Sequence, residues 1–368
     1  TTLLSNQLKI AKLTFDYENE QLVFLHSTDT NKRKTFALSY WDKATNLASI
    51  LIDSNTTGMP AGYTVSEFCN PYFSRNGERL FIGTNKIVEQ EAEDTLLETE
   101  KAKVDVWSGF DQRIQPQQLK QKKSDEKKNY RAVYHFDKKK FVQIANEDLE
   151  RIRTIDQANS KMALGYSNKA YQKSMTWAFP WKNDVYLIDL ETGENSLIKE
   201  GQAYGTSLAP STNYFVWYNG SDSSWYSKNM VSGVEQNLTQ KTSALFASDV
   251  NGNPYIPYSE GSTGWTILDD EEYFIVNSRF DVWALCPSKP NQSFSITEGV
   301  GKTDNITYRY HRLDSDSTYT NINNGLIHST DFETKSEAYH SINISFSEVF
   351  ERNTCLLYTS DAADDSLR

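Results

Sequence analysis

A chain of 368 residues with 38% hydrophobic and 24% charged side chains has enough apolar surface to bury a core, which excludes global disorder. Its formal net charge of −11 excludes the basic surface that a nucleic-acid binder uses to displace counterions from phosphate. No run of about 18 apolar residues is present to span a membrane, and the 13% aromatic share favours sheets, on whose pleated surface flat rings pack well.

The chain opens Thr1-Thr2-Leu3-Leu4 without an initiating Met or a visible signal peptide, so sequence is expected to precede it. Short strand-like runs then recur: Leu22–Leu25, Leu80–Gly83, Val185–Ile188, Tyr214–Trp217 and Tyr273–Val276. Similar turns precede four of them, at Asp16–Glu20, Ser74–Glu78, Ala209–Asn213 and Leu268–Glu272, rich in residues that tolerate or preset turn dihedrals.

A second motif places an Asp before an apolar-aromatic pair: Val104-Asp105-Val106-Trp107, Asp184-Val185-Tyr186-Leu187 and Phe280-Asp281-Val282-Trp283. The middle copy runs into the hairpin signal Asp189–Gly193, and Met230–Gly233 followed by Asn237-Leu238-Thr239 has the same layout. Read as one unit, these pieces give four-stranded blades repeating every 40–50 residues or so, the signature of a β-propeller. The expected fold class is therefore all-β, a propeller of four-stranded antiparallel blades; a large β-sandwich is the competing reading. About 350 residues at roughly 45 per blade give seven or eight blades, fewer once insertions are set aside, which leaves an incomplete ring open.

Two segments interrupt the pattern. Glu89–Lys103 begins acidic, and Lys120–Lys140 is basic and is expected to be a solvated hairpin and loop, with an anion contact as the functional alternative. Between them, Ile114–Leu119 is expected to cross the propeller face as a connection.

Chemistry is sparse. Cys69, Cys286 and Cys355 form no CxxC pair, and His26, His135, His311, His328 and His340 form no HExxH or HxH, so neither a metal site nor a redox dithiol is signalled. No Gly-x-Ser-x-Gly elbow, phosphate loop or Gly-x-Gly-x-x-Gly occurs; Glu260-Gly261-Ser262-Thr263-Gly264 is expected to be a blade-entry loop ahead of a strand. No catalytic, cofactor-binding or metal-binding residue is assigned. Trp107 and Trp283 are expected in the core, while Trp177, Trp181, Trp217 and Trp225 are divided between core and a carbohydrate- or peptide-stacking surface.

An ordered series of segments resembles the N-terminal propeller of the prolyl-oligopeptidase-like (S9) serine peptidases, in the long form found in Bacteroidetes. It comprises Gly58–Tyr63, Phe73–Gly83, Val104–Asp111 with Gln115–Gln118, Tyr130–Tyr134, Ala163–Ser167, Asp184–Leu187, Gly264–Thr266 and Phe280–Trp283. Ala209-Pro210-Ser211-Thr212 departs from the family's usual Ser-Pro-Asp-Gly turn. The resemblance implies a non-catalytic propeller that gates access of short peptides, in a dipeptidyl-peptidase-like manner, to a C-terminal α/β-hydrolase partner domain. Peptides would be cleaved there by acyl transfer to a serine that this chain does not contain. Exported bacterial members imply a periplasmic setting. A stand-alone propeller serving as a protein-binding scaffold is the alternative; a sugar-active propeller enzyme with axial carboxylates is a third reading. Cys355–Asp364 resembles a translated sequencing adapter, so 1–354 is expected to be propeller sequence and 355–368 a non-native tail.

Overall fold

The computed structural model describes residues 9–31, 34–87, 104, 106–248, 257–322, 325–342 and 353–357. The protein is all-β and of the β-propeller class, built from antiparallel meanders of consecutive strands. It divides into two compact units, Thr1–Gln202 and Ala203–Arg368, each with its own sheets and cores.

Among the described residues unit 1 carries three sheets. The first orders β1 (Lys9–Phe15), β2 (Gln21–Ser27), β3 (Ala37–Asp42) and β4 (Leu47–Ile52). The second orders β5 (Tyr63–Val65), β7 (Arg79–Lys86), β8 (Tyr130–His135) and β9 (Lys140–Gln143), with β6 (Tyr72–Phe73) also paired to β7. The third orders β10 (Arg151–Thr154), β11 (Met162–Ser167), β12 (Asn183–Asp189) and β13 (Asn195–Gln202). The apolar run in β7 is continuous because both of its faces are covered. Leu80 and Ile82 join Val23, Leu25 and Leu38 of the first sheet in one core, while Phe81, one residue out of phase, joins Ala163 and Ile188 of the third sheet in another. Ala132 and Tyr134 against Val133 split β8 in the same way.

Unit 2 repeats the arrangement with β14 (Thr206–Leu208), β15 (Tyr214–Asn219), β16 (Ser224–Asn229) and β17 (Glu235–Asn237); then β18 (Ser262–Leu268), β19 (Glu271–Asn277), β20 (Val282–Leu285) and β21 (Phe294–Ser295); then β22 (Ile306–His311), β23 (Gly325–Asp331), β24 (Glu337–Ile342) and β25 (Asn353–Leu357). Here β19 is the two-faced strand: Tyr273 and Ile275 pack with Tyr308 and Ile327, while Phe274 and Val276 pack with Val216 and Trp225.

The recurring turns have a common physical cause. Each of the four turns ahead of a second strand holds residues in the left-handed region, Asn19, Gly77, Thr212 and the pair Asp269 and Asp270. Gly77 is constrained by its left-handed φ of 72°, and a Cβ there would also displace the end of the Gln21 side chain from the neighbouring sheet. At Thr212, where the resembled family has Gly, a β-branched residue bears the left-handed φ of 65°. The hairpins at Asp189–Gly193 and Asn229–Gly233 also match. The side-chain oxygen of the first residue accepts two backbone N–H bonds (2.7 and 3.0 Å; 3.0 and 2.8 Å), and the Gly closes onto that residue's carbonyl. The same device stands at Asp331, with Lys335 left-handed, and a one-bond form at Asp42, with Asn46 left-handed. These two copies escape notice in the sequence because the closing Gly is replaced.

The structure departs from the sequence reading at the first insertion. Val104–Trp107 is not a third strand: Val104, Val106 and Trp107 are exposed coil, and Asp105 lies outside the described residues. The third place is taken by β8, whose Tyr130, Ala132, Val133 and Tyr134 are all buried, whereas Val104 and Val106 are exposed. Ile114–Leu119 does belong to the β7–β8 connection, but Gln115–Leu119 is helical: it opens α1 (Gln115–Asp125), with Pro116 in the first turn, where its missing N–H costs nothing. The basic run is accordingly part helix: Lys120, Lys122 and Lys123 lie on α1, which buries no residue, and Lys138 and Lys139 lie in the β8–β9 hairpin. The acidic run Glu89–Lys103 lies outside the described residues. Among those described, no helix is long and apolar enough to cross a membrane.

Candidate functional site

In unit 1, the loops leading from second to third strand in two adjacent sheets are enlarged. The β7–β8 connection carries α1, and the β11–β12 connection carries a 3-10 turn over Lys169–Ser174 followed by a loop to Lys182. Arg113 shapes the first: its Nη2 pairs with Asp125 Oδ2 at 2.7 Å and its Nη1 donates to Gln121 Oε1 at 2.5 Å, tying the segment before α1 to the helix. The two connections meet where Lys173 Nζ lies 5.9 Å from the centre of the Phe110 ring.

Between α1 and the ends of β7 and β8 lies a groove of about 610 Å³, with Val106, Trp107 and Leu119 from the insertion and Lys86, Tyr130 and Glu147 from the sheet among its walls. Lys86 pairs with Glu147, and this contact raises the lysine's pKa and lowers the glutamate's. Burial, reinforced by Glu147 and Glu150, pushes the Tyr130 hydroxyl up to about 12. At neutral pH the Glu147 carboxylate is therefore ionised, Lys86 is charged and the Tyr130 phenol is protonated. None of the three is poised for proton transfer, which needs a pKa near the working pH. The arrangement suits binding.

A second pocket of about 210 Å³ shares Glu147 and continues over the third sheet, lined by Arg151, Tyr166, Asn168, Lys169 and Gln172. Its acids are matched by lysines: Asp148 pairs with Lys169, and Glu150 with Lys128 at 2.9 Å.

The Asp of the repeated strand motif holds the fold together. Asp281, buried in unit 2, accepts from Thr297 Oγ1 (2.7 Å), Gly301 N (2.9 Å) and Lys302 N (3.2 Å), anchoring the short helix α2 (Val300–Asp304) before β22. Asp184 in unit 1 accepts from Tyr171 Oη at 2.6 Å and Gly201 N at 2.9 Å. Gly261 and Ser262 lead into β18, with Glu260 in an ion pair with Arg309 at 2.6 Å.

Six of the eight tryptophans are either buried or exposed, and Trp41 and Trp283 are half-buried. Trp217, Trp225 and Trp265 are buried and Trp283 packs against the same core, whereas Trp107, Trp177 and Trp181 are 63%, 75% and 55% exposed. Trp107 is thereby removed from the core to the groove. Sheet register also unites His311 and His328, their ring centres 5.7 Å apart, with His328 Nε2 3.4 Å from Glu337 Oε2. No local spacing signals that pair, because it arises from the alignment of β22 with β23. Among the described residues no cluster of three or more His, Cys, Asp or Glu side chains could hold a metal ion.

The fold and this site define a chain of propeller blades with an enlarged loop surface. No protein-family model and no curated protein matches it. Among solved structures it is similar to a prolyl endopeptidase (8% identity, TM-score 0.31, covering 96% of this chain and 50% of the other). It is also similar to an oligogalacturonate lyase in complex with manganese (10%, 0.37, 93% and 81%) and to TolB from Acinetobacter baumannii (11%, 0.26, 95% and 57%). The chain spans about half the length of the prolyl endopeptidase, and none of these similarities bears on activity.

Proposed function

We propose that this chain is the non-catalytic propeller of a serine peptidase, gating short peptides towards an α/β-hydrolase partner domain that cleaves them by acyl transfer. One observation carries the reading: most of the ordered segments that resemble the S9 propeller fall, in order, on strands of the four-stranded sheets or on the turns into them. Phe73–Gly83 spans the turn into β7, Tyr130–Tyr134 lies in β8, Ala163–Ser167 in β11, Asp184–Leu187 in β12, Gly264–Thr266 in β18, and Phe280–Trp283 enters β20. On this reading 1–354 is propeller sequence and 355–368 an adapter-derived tail. A stand-alone binding scaffold is the second reading, favoured by the exposed groove side chains Val106 and Trp107.

Sequencing the gene beyond Thr354 tests the proposal. A reading frame reaching a Gly-x-Ser-x-Gly elbow some 200 or more residues on is the expected result; a stop codon or an unrelated domain overturns it in favour of the scaffold. The chain by itself is expected to turn over no peptide substrate, and measured hydrolysis would contradict the non-catalytic assignment.

A further inference from the structure

We infer that the β11–β12 connection of unit 1, with the 210 Å³ pocket at its base, is a binding site for an uncharged oligosaccharide. Within five residues it presents Trp177, Phe179 and Trp181, all exposed, where a loop of this length ordinarily carries polar side chains. Trp181 Nε1 donates to Met175 O at 3.0 Å, which occupies the only polar atom of the indole and fixes the ring, leaving an apolar face to the outside.

The pocket supplies the complementary chemistry. Asn168, Gln172 and Asn183 bring planar amides, and Arg151 brings a guanidinium lying over the Tyr166 ring at 4.7 Å. Gln172 Nε2 donates to Asn168 Oδ1 at 2.9 Å, while Asn168 Nδ2 meets the weak acceptor Met175 Sδ at 3.8 Å, so that donor gains by exchanging sulfur for a hydroxyl oxygen. The neighbouring carboxylates are matched by Lys86, Lys128 and Lys169, so the acids of the pocket leave little net negative field. Pyranose rings answer both halves of this surface: their C–H faces stack on indole, and their vicinal hydroxyls donate to and accept from planar amides. A pocket of about 210 Å³ suits one ring, with its neighbours on the aromatic loop. Lys86 holds Glu147 below its ordinary value, the opposite of the raised carboxylic acid that a glycosidase uses.

The test is titration of the 368-residue chain with cellohexaose, maltohexaose, xylohexaose and mannohexaose, followed by tryptophan fluorescence and calorimetry. At least one is expected to bind and to change the emission, with no shortened product. Trp177→Ala and Trp181→Ala should each weaken that binding about tenfold or more and Gln172→Ala several-fold, all with unchanged circular dichroism. Binding by none of the four overturns the inference, as does full binding by the Trp177→Ala/Trp181→Ala double variant. A hexa-alanine peptide competing equally at the loop would assign the site to peptides instead.

Discussion

Replacing Asp281 by Ala removes one buried carboxylate and strands three donors at once. Thr297 Oγ1, Gly301 N and Lys302 N all point at it, and Asp281 itself is only 4% exposed. Hydrogen bonds to a charged group contribute about 1.5–3 kcal/mol each. The Lys302 amide sits at the solvent side and recovers part of its bond from water, so the expected loss is about 4 kcal/mol, at the upper end for a single substitution. Asp281→Asn keeps one acceptor oxygen for Thr297 and Gly301 but turns an N–H towards the Lys302 N–H, for an expected loss of about 2 kcal/mol. Gly301 adds no slack, since a Cβ there would lie 2.7 Å from Phe280 O and 2.8 Å from Ile306 O. Urea denaturation gives the free energy. Hydrogen exchange resolved by peptide gives the location, with protection expected to fall first across α2 and β22. A loss below about 1 kcal/mol for Asp281→Ala, the scale of one neutral hydrogen bond, would refute the anchoring role, as would protection lost equally from unit 1.

Two further outcomes follow from unit 1. A Cβ on Gly83 would lie 2.3 Å from Cys69 Cβ, so Gly83→Ala should cost about 3 kcal/mol through overpacking. Cys69→Gly should restore much of that loss and Cys69→Ala should not, because only the former removes the opposing Cβ; a denaturation cycle without coupling between the two sites would contradict this. Burial lowers the pKa of His135 below the ordinary 6.5, against the smaller opposing effect of its Nε2–H bond to Leu190 O (2.8 Å), and burial also lowers that of His26. The unfolded chain then takes up protons near pH 6.5 that the folded chain refuses. Stability present above pH 6.5 is thus lost as pH falls towards the folded pKa values. Thermal melts from pH 7.5 to 5 should show this slope, and His135→Gln, whose amide can still donate to Leu190 O, should flatten it.

The sequence by itself determined the repeating unit. Turn residues able to take left-handed dihedrals, continuous apolar runs such as Leu80-Phe81-Ile82 and Tyr273-Phe274-Ile275-Val276, and the Asp-x-x-Thr-Gly hairpin are local signals, because dihedral preference and side-chain alternation act within a few residues. They located the five strand-like runs and the turns before four of them. Tertiary structure alone decided what those signals serve. It gave the motif Asp at 184 and 281 its donors, from residues 13 to 21 positions away. It put β8 rather than Val104–Trp107 in the third place of the second sheet, because a strand is chosen by what covers it and not by its own composition. It also parted the tryptophans, sending Trp217 and Trp225 into the core and leaving Trp107, Trp177 and Trp181 at the surface. An indole reads the same in sequence whether or not another sheet packs over it.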